Sequence, residues 1–210
     1  MRIQSCEICK GRTERKKEDL HQKIIGIAMD LFKKQGFAAT TMEQIAGEVD
    51  IARATLYRHF PVKEAIVNDY AQILNKAHEA RIKGAWTELP DTCSRLTAVL
   101  FEHWEVVQAE FTMDILRVFY SYRMQTLFQS FVDQSFVSGF SGLLADIIRL
   151  GQETGELKRN VPAETVANLL DWTHTNAVMR WVADPVGFPI RERINLSVDL
   201  FLNGVKNRER

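Results

Sequence analysis

Residues Thr40 to Ile66 read TTMEQIAGEVDIARATLYRHFPVKEAI. Two short helical patterns lie on either side of an acidic residue, Asp50, and the second runs into an aromatic and basic cluster of Tyr57, Arg58 and His59, with Lys63 just beyond. Thr41 opens the first. Its hydroxyl stands at an N-cap with Gln44 three residues on, the reciprocal pair that satisfies two free amides at a helix start. Met42, Ile45, Ala46 and Val49 then recur at helical spacing. Arg53 to His59 makes the second, ended by Pro61, which has no amide hydrogen and biases Phe60 away from helix. Lys63 starts a longer one, with Ile66, Val67, Tyr70, Ile73, Leu74 and Ala77 as its apolar side, running to about Trp86.

Two short helices joined by a tight turn project the second outward, where it enters a major groove while its partner braces it across the backbone. Ile45, Ala46, Val49, Ile51 and Leu56 supply the apolar inward faces that hold the angle. The turn needs a residue that accepts a left-handed backbone, usually Gly and sometimes Asn or Asp, and Asp50 occupies that position. The outward face offers Arg53, Thr55, Tyr57, Arg58, His59 and Lys63 as donors to phosphates and base edges, and the Thr41 hydroxyl with the neighbouring helix-start amides suits a further phosphate.

Outward from this stretch nearly everything reads as helix. Ile24, Ile27, Ala28 and Leu31 recur at i, i+3, i+4 and i+7 ahead of Gly36, so a first helix is expected from about Glu14 or Asp19 to Gln35. After Leu89 to Asp91 the pattern resumes with Leu96, Val99, Leu100, His103, Trp104 and Val107, then Met113, Leu116 and Tyr120. One long helix is expected from about Leu127 to Thr154, closed by Gly155. Another follows Pro162 and stops at Asp184-Pro185, and a last one carries Ile190, Ile194, Val198, Phe201 and Val205. No segment alternates as a strand does. The expected fold is all-α with about nine helices: a basic, flexible arm over 1–18, a three-helix helix-turn-helix head over 19–66 and a larger helical domain over 67–210.

The chain has 210 residues, 46% hydrophobic and 26% charged, enough for a sizeable core. Its net charge of zero argues against a general polyanion binder, but the distribution is uneven. Residues 1–63 carry +4 (12 Lys and Arg against 8 Asp and Glu) and the remainder −4 (15 against 19), the asymmetry of a nucleic-acid-binding head on an acidic body. No apolar run reaches the roughly 18 residues of a membrane span and the first residues lack the apolar core of a signal peptide, so a cytoplasmic protein without membrane contact is expected. Three cysteines make no disulfide framework. Cys6 and Cys9 form a C-x-x-C, but a structural zinc site needs a second ligand pair and the five histidines are scattered singly, so neither metal nor cofactor is expected.

With the preceding Ala28, Leu31, Phe32, Gly36 and Phe37, the run TT-x4-A-x8-TLYRHF-x2-KE resembles the helix-turn-helix head of the TetR family of bacterial transcriptional regulators. The resemblance is specific over about Ile24 to Val67 and elsewhere is one of plan. It implies a homodimer joined through its last two helices and a small effector bound in the larger domain. By position it places Arg53, Ala54 and Thr55 against bases and Thr41, Tyr57, His59 and Lys63 on phosphates. Two departures stand out: Asp50 replaces the commoner turn Gly, and Ala52 stands where Ser or Thr often caps the recognition helix.

For the body, sequence narrows less. Aromatic residues are dense from Trp86 to Trp181, and aromatic residues at helical spacing are first of all core. Polar groups interrupt them: His103 beside Trp104, Asp114 and Arg117 one turn apart, Asp171 and His174 around Trp172. They are either structural pairs or the few convergent groups that orient a ligand in an apolar pocket. The candidate effector set is His103, Trp104, Arg117, Tyr120, Phe140, Trp172 and His174, and the candidate dimer set is Val166, Leu170, Ile194, Val198, Phe201 and Val205. An enzyme is the rival class, but no G-x-S-x-G, H-E-x-x-H, phosphate loop or dinucleotide fingerprint occurs. A helical adaptor for protein partners leaves the basic head unexplained. The expected function is therefore a DNA-binding transcriptional regulator, a repressor released from a palindromic operator by a small apolar effector.

Overall fold

The computed structural model describes residues 11–82, 86–132 and 139–205. Among them are nine α-helices and no strand: α1 (Arg12–Gln35), α2 (Met42–Val49), α3 (Arg53–His59), α4 (Lys63–Ile82), α5 (Thr92–Glu110), α6 (Met113–Val132), α7 (Gly139–Glu153), α8 (Ala163–Ala183) and α9 (Ile190–Val205), with a 3₁₀ turn at Trp86–Glu88. The chain divides into two compact units, Met1–Tyr70 and Ala71–Arg210. α1 starts at Arg12, so residues 12–18 continue the first helix of the head rather than forming an arm. Cys6 and Cys9 lie outside the described residues. Among the described residues no helix is long and apolar enough to cross a membrane.

In the head, the apolar stripe of α1 meets the short helices around one core. Ile24, Ile25, Ala28 and Phe32 are buried, with Ile45, Ala46 and Val49 of α2, Leu56 of α3, and Ile66 and Val67 of α4. Burying an aliphatic side chain stabilises by about 1.5–3 kcal/mol, so this set outweighs the weak propensity of helices only two turns long. Phe37 packs on Phe32 with ring centroids 4.8 Å apart, and Gly36 at φ 89° turns the chain out of α1 toward it.

In the body, α7 and α8 pack on each other, and α9 packs on both α5 and α8. Leu96 and Leu100 of α5, Ile115 and Leu116 of α6, and Leu143, Leu144, Ile147 and Ile148 of α7 form the centre of this core. Gly151 lets α7 approach the start of α5, since a Cβ there would collide with the Thr92 hydroxyl and sit 3.1 Å from Leu157 Cγ. The helix expected from Leu127 to Thr154 does not start at Leu127: Leu127 to Val132 continue the helix begun at Met113, and residues 139–153 are helical as expected.

The second correction concerns the dimer set. Val166, Leu170, Ile194 and Val198 are 4%, 0%, 1% and 1% exposed, so they hold α8 and α9 to the rest of their own protomer. Phe201 is half-buried, and the side chain of Val205 lies outside the described residues. An apolar stripe shows that a helix packs on something, and here that something is the chain's own core. The exposed apolar residues of these helices are on another face: Leu169 at 59%, Leu196 at 42% and Leu200 at 63%.

Candidate nucleic-acid interface and interior polar cluster

The turn between α2 and α3 is built as its residues dictate. Thr41 Oγ1 accepts from the Gln44 amide at 3.1 Å while Gln44 Oε1 accepts from the Thr41 amide at 3.1 Å, closing the capping box. Asp50 sits in the left-handed region at φ 61°, ψ 55°. Lys23 Nζ donates to Val49 O at 2.8 Å, placing a cation of α1 on the free carbonyl end of α2. Ala52 is the N-cap of α3 and offers no side-chain bond, so the first amides of α3 keep free hydrogens.

α3 buries Leu56 and turns its other side outward. Arg53, Ala54, Tyr57 and Arg58 are exposed, and Thr55 and His59 half-buried. Arg53 is held 3.5 Å from Glu43, a pairing between exposed groups that yields readily to a better acceptor. His21 stacks on Phe60 at 4.5 Å and stands 5.8 Å from His59, ring centroid to ring centroid. Burial chiefly, then His21, Arg58 and Lys17, push the His59 imidazole below its ordinary value of 6.5. Lys63 is differently placed from the other candidates. Its ammonium donates to Phe37 O at 2.7 Å and Thr40 O at 3.0 Å and lies 4.2 Å from the centre of the Phe37 ring. Two of its three hydrogens thus tie the start of α4 to the turn before α2, leaving one for an outside acceptor.

Three of the candidate effector residues come together around His103, Tyr120 joins a second polar group on α6 and α8, and Trp104, Arg117 and Trp172 join neither. His103 of α5 and His174 of α8 face each other, Nδ1 to Nε2, at 3.0 Å. Phe140 of α7 stacks on His103 with centroids 4.1 Å apart. Burial, aided by His174 and then His78, pushes His103 well below its ordinary value, and burial alone lowers His174 to about 4. On α6, Tyr120 is held protonated by burial first and then by Asp171, one turn before His174 on α8. Burial lowers the nearby Arg123, against the opposing pull of Asp171 and then Tyr120. His103 and Tyr120 are half-buried, whereas His174 is 1% exposed. Trp104 instead packs edge-on to Trp181 at 5.8 Å, with Arg191 5.0 Å above it, and belongs to the α5–α9 contact. Trp172 is half-buried. Arg117 is exposed and joins neither group, and Asp114 accepts from the Thr112 hydroxyl.

Sequence reasoning missed His78. It is 5% exposed on α4, 3.5 Å from Glu102, with its ring 6.1 Å from His103. It lines an open groove of about 670 Å³ with Leu74, Ala77, Glu102, Glu105 and Glu110, whose carboxylates disfavour an anionic occupant. No local signal marked it, because His78, His103 and His174 are far apart in the chain. No group of three or more His, Cys, Asp or Glu is placed to hold a metal ion among the described residues.

Residues 24–70, the α1 to α4 segment of the head, match the family described as bacterial regulatory proteins, tetR family. Beyond the head, the chain is 19% identical over 194 residues, 92% of its length and 100% of the relative, to the fatty acid metabolism regulator protein of Bacillus subtilis. Its fold resembles that of Thermus thermophilus FadR, a repressor solved with lauroyl-CoA: TM-score 0.77, 24% identity, 90% of this chain and 97% of the other. Bacillus subtilis FadR, solved with stearoyl-CoA, aligns at TM-score 0.57 and 16% identity over 88% and 98%. The head, matched over residues 24–70, is thus a helix-turn-helix domain of the tetR family of bacterial regulatory proteins, and along nine-tenths of its length the chain shares the fold of Thermus thermophilus FadR.

Proposed function

We propose that this regulator is a homodimeric repressor that binds a palindromic operator and is released from it by a long-chain acyl thioester. The observation that carries the DNA reading is the outward side of α3, where Arg53, Ala54, Tyr57 and Arg58 are exposed beside uncapped helix-start amides. In this reading Arg53, Ala54 and Thr55 meet base edges, while Thr41, Tyr57, Arg58, His59 and the third hydrogen of Lys63 meet phosphates. The dimer forms through the exposed side of α8 and α9, Leu169, Leu196 and Leu200 with Phe201; of these Leu196, Leu200 and Phe201 border an open groove of about 430 Å³ lined also by Thr173 and Phe188. Support for the effector class comes from the acyl-CoA ligands of the two FadR proteins together with the apolar, polar-dotted interior of this body.

Operator release follows from differential affinity. A ligand that binds better to an arrangement in which two heads no longer match the groove repeat of about 34 Å weakens DNA binding by that difference, typically about 1–3 kcal/mol. The test is to select an operator from random duplexes and titrate it by fluorescence anisotropy with and without lauroyl-CoA. Release by lauroyl-CoA, and the same factor of weakening for lauroyl-CoA when operator is saturating, is the expected result. Operator affinity indifferent to saturating lauroyl-CoA removes the effector class, and failure to enrich any sequence removes the operator.

A further inference from the structure

The His103–His174 pair has only one proton to share between its facing nitrogens, and that constraint decides what the pair offers to a ligand. Both rings are neutral where they are buried, so each carries one N–H. If His103 donated from Nδ1, His174 would have to carry its own hydrogen on Nδ1, which is buried without a partner. A buried N–H with no acceptor is the rarer and costlier orphan, whereas a bare ring nitrogen is an acceptor left idle. His174 therefore donates from Nε2, and His103, accepting at Nδ1, carries its hydrogen on Nε2. That Nε2–H finds no acceptor among the described residues, and the His103 ring is the member of the pair that keeps accessible surface. Phe140, stacked on His103, fixes the ring plane, and the 1% exposed His174 behind it fixes the tautomer.

We infer that His103 is the effector's specificity anchor, donating from Nε2 to the carbonyl oxygen of the acyl thioester, with His174 as the positioning residue that holds the hydrogen on that nitrogen. The inference rests on the acyl-thioester reading of the effector and adds to it the atom that is recognised. The partner is an uncharged carbonyl rather than a carboxylate. A single neutral N–H in surroundings that desolvate charge does not stabilise an anion. The phosphates of a coenzyme A group then remain outside this interior.

Two ligands that differ by that one oxygen test it: lauroyl-CoA and its thioether analogue dodecyl-CoA, each titrated by calorimetry against the full chain. The wild-type protein is expected to prefer the thioester by ~10-fold, the scale of one neutral hydrogen bond. In His103→Phe the two ligands should bind alike. His174→Leu should lose most of the preference, and His174→Gln, whose amide can donate to His103 Nδ1, should regain it. Equal affinities in the wild-type protein, or a preference that survives in His103→Phe, overturn the anchor and leave the effector class standing. Failure of both ligands to bind or to release the operator overturns both. Should the variants not fold, as thermal melts would reveal, the wild-type comparison still decides.

Discussion

His59 and the buried pair titrate in opposite service. His59 sits where the proposed interface meets phosphate, with its imidazole lowered in the free protein by burial first and by His21, Arg58 and Lys17. A phosphate beside it raises the bound value, so binding takes up a proton and operator affinity should rise as pH falls below about 7. His59→Gln should flatten that slope in anisotropy titrations run from pH 5.5 to 8, and an unchanged slope would remove His59 from the phosphate set. The interior pair acts on stability. The unfolded imidazole protonates below about 6.5 whereas folded His174 stays neutral to about 4, so the unfolded state binds more protons in that window and stability falls as pH drops through it. For His174 the loss is on the order of 3 kcal/mol. Urea melts between pH 7 and 4 should show it, and His174→Leu should reduce the pH dependence over the same range.

Two positions in the α2–α3 turn depart from the residues usual there, and each makes a prediction about the element it belongs to. Ala52 begins α3 with an extended backbone, φ −64° and ψ 142°, and no side-chain bond. Ala52→Ser should supply the missing acceptor and stabilise by about 0.5–2 kcal/mol, read as a higher denaturation midpoint of the head. Asp50 at φ 61° is the only left-handed residue other than glycine among the described residues. Asp50→Gly should be neutral or stabilising and Asp50→Val destabilising by about 1–2 kcal/mol, because a β-branched side chain crowds the left-handed backbone. Lys63 joins two elements. With its ammonium on Phe37 O and Thr40 O, Lys63→Ala should cost about 2 kcal/mol of head stability and weaken operator and non-specific DNA alike. A stable Lys63→Ala head with reduced salt dependence would assign the residue to phosphate alone.

At the scale of the whole molecule the exposed side of α8 and α9 carries the proposed dimer. Leu169 and Leu200 are 59% and 63% exposed on adjoining helices whose buried sides are already satisfied within the protomer. Leu200→Glu should shift sedimentation from dimer to monomer at micromolar concentration and cost operator affinity, since one head reads one half-site. Val198→Glu, at a buried position, should instead unfold the body. A wild-type monomer, or a Leu200→Glu dimer, would move the interface elsewhere.

The head was legible because its signals are local. A capping box spans four residues, a left-handed turn needs one, and a proline stop acts on its neighbour, so Thr41, Asp50 and Pro61 mark the helices with no knowledge of what packs on them. Exposure of Arg53, Tyr57 and Arg58 followed from the same short-range periodicity that buried Leu56. By itself, then, the sequence determined the all-α class, the order of helices in the head and the chemistry offered along α3. Tertiary structure alone decided the rest. Val166, Leu170, Ile194 and Val198 form a stripe that states burial without naming its partner, and only packing turned it into the protomer's own core. His103 and His174 stand 71 positions apart and meet at 3.0 Å because α5 and α8 are brought together by the core between them. Periodicity reports which side of a helix avoids water, whereas a contact between distant helices depends on the whole set of side chains that must be close-packed at once.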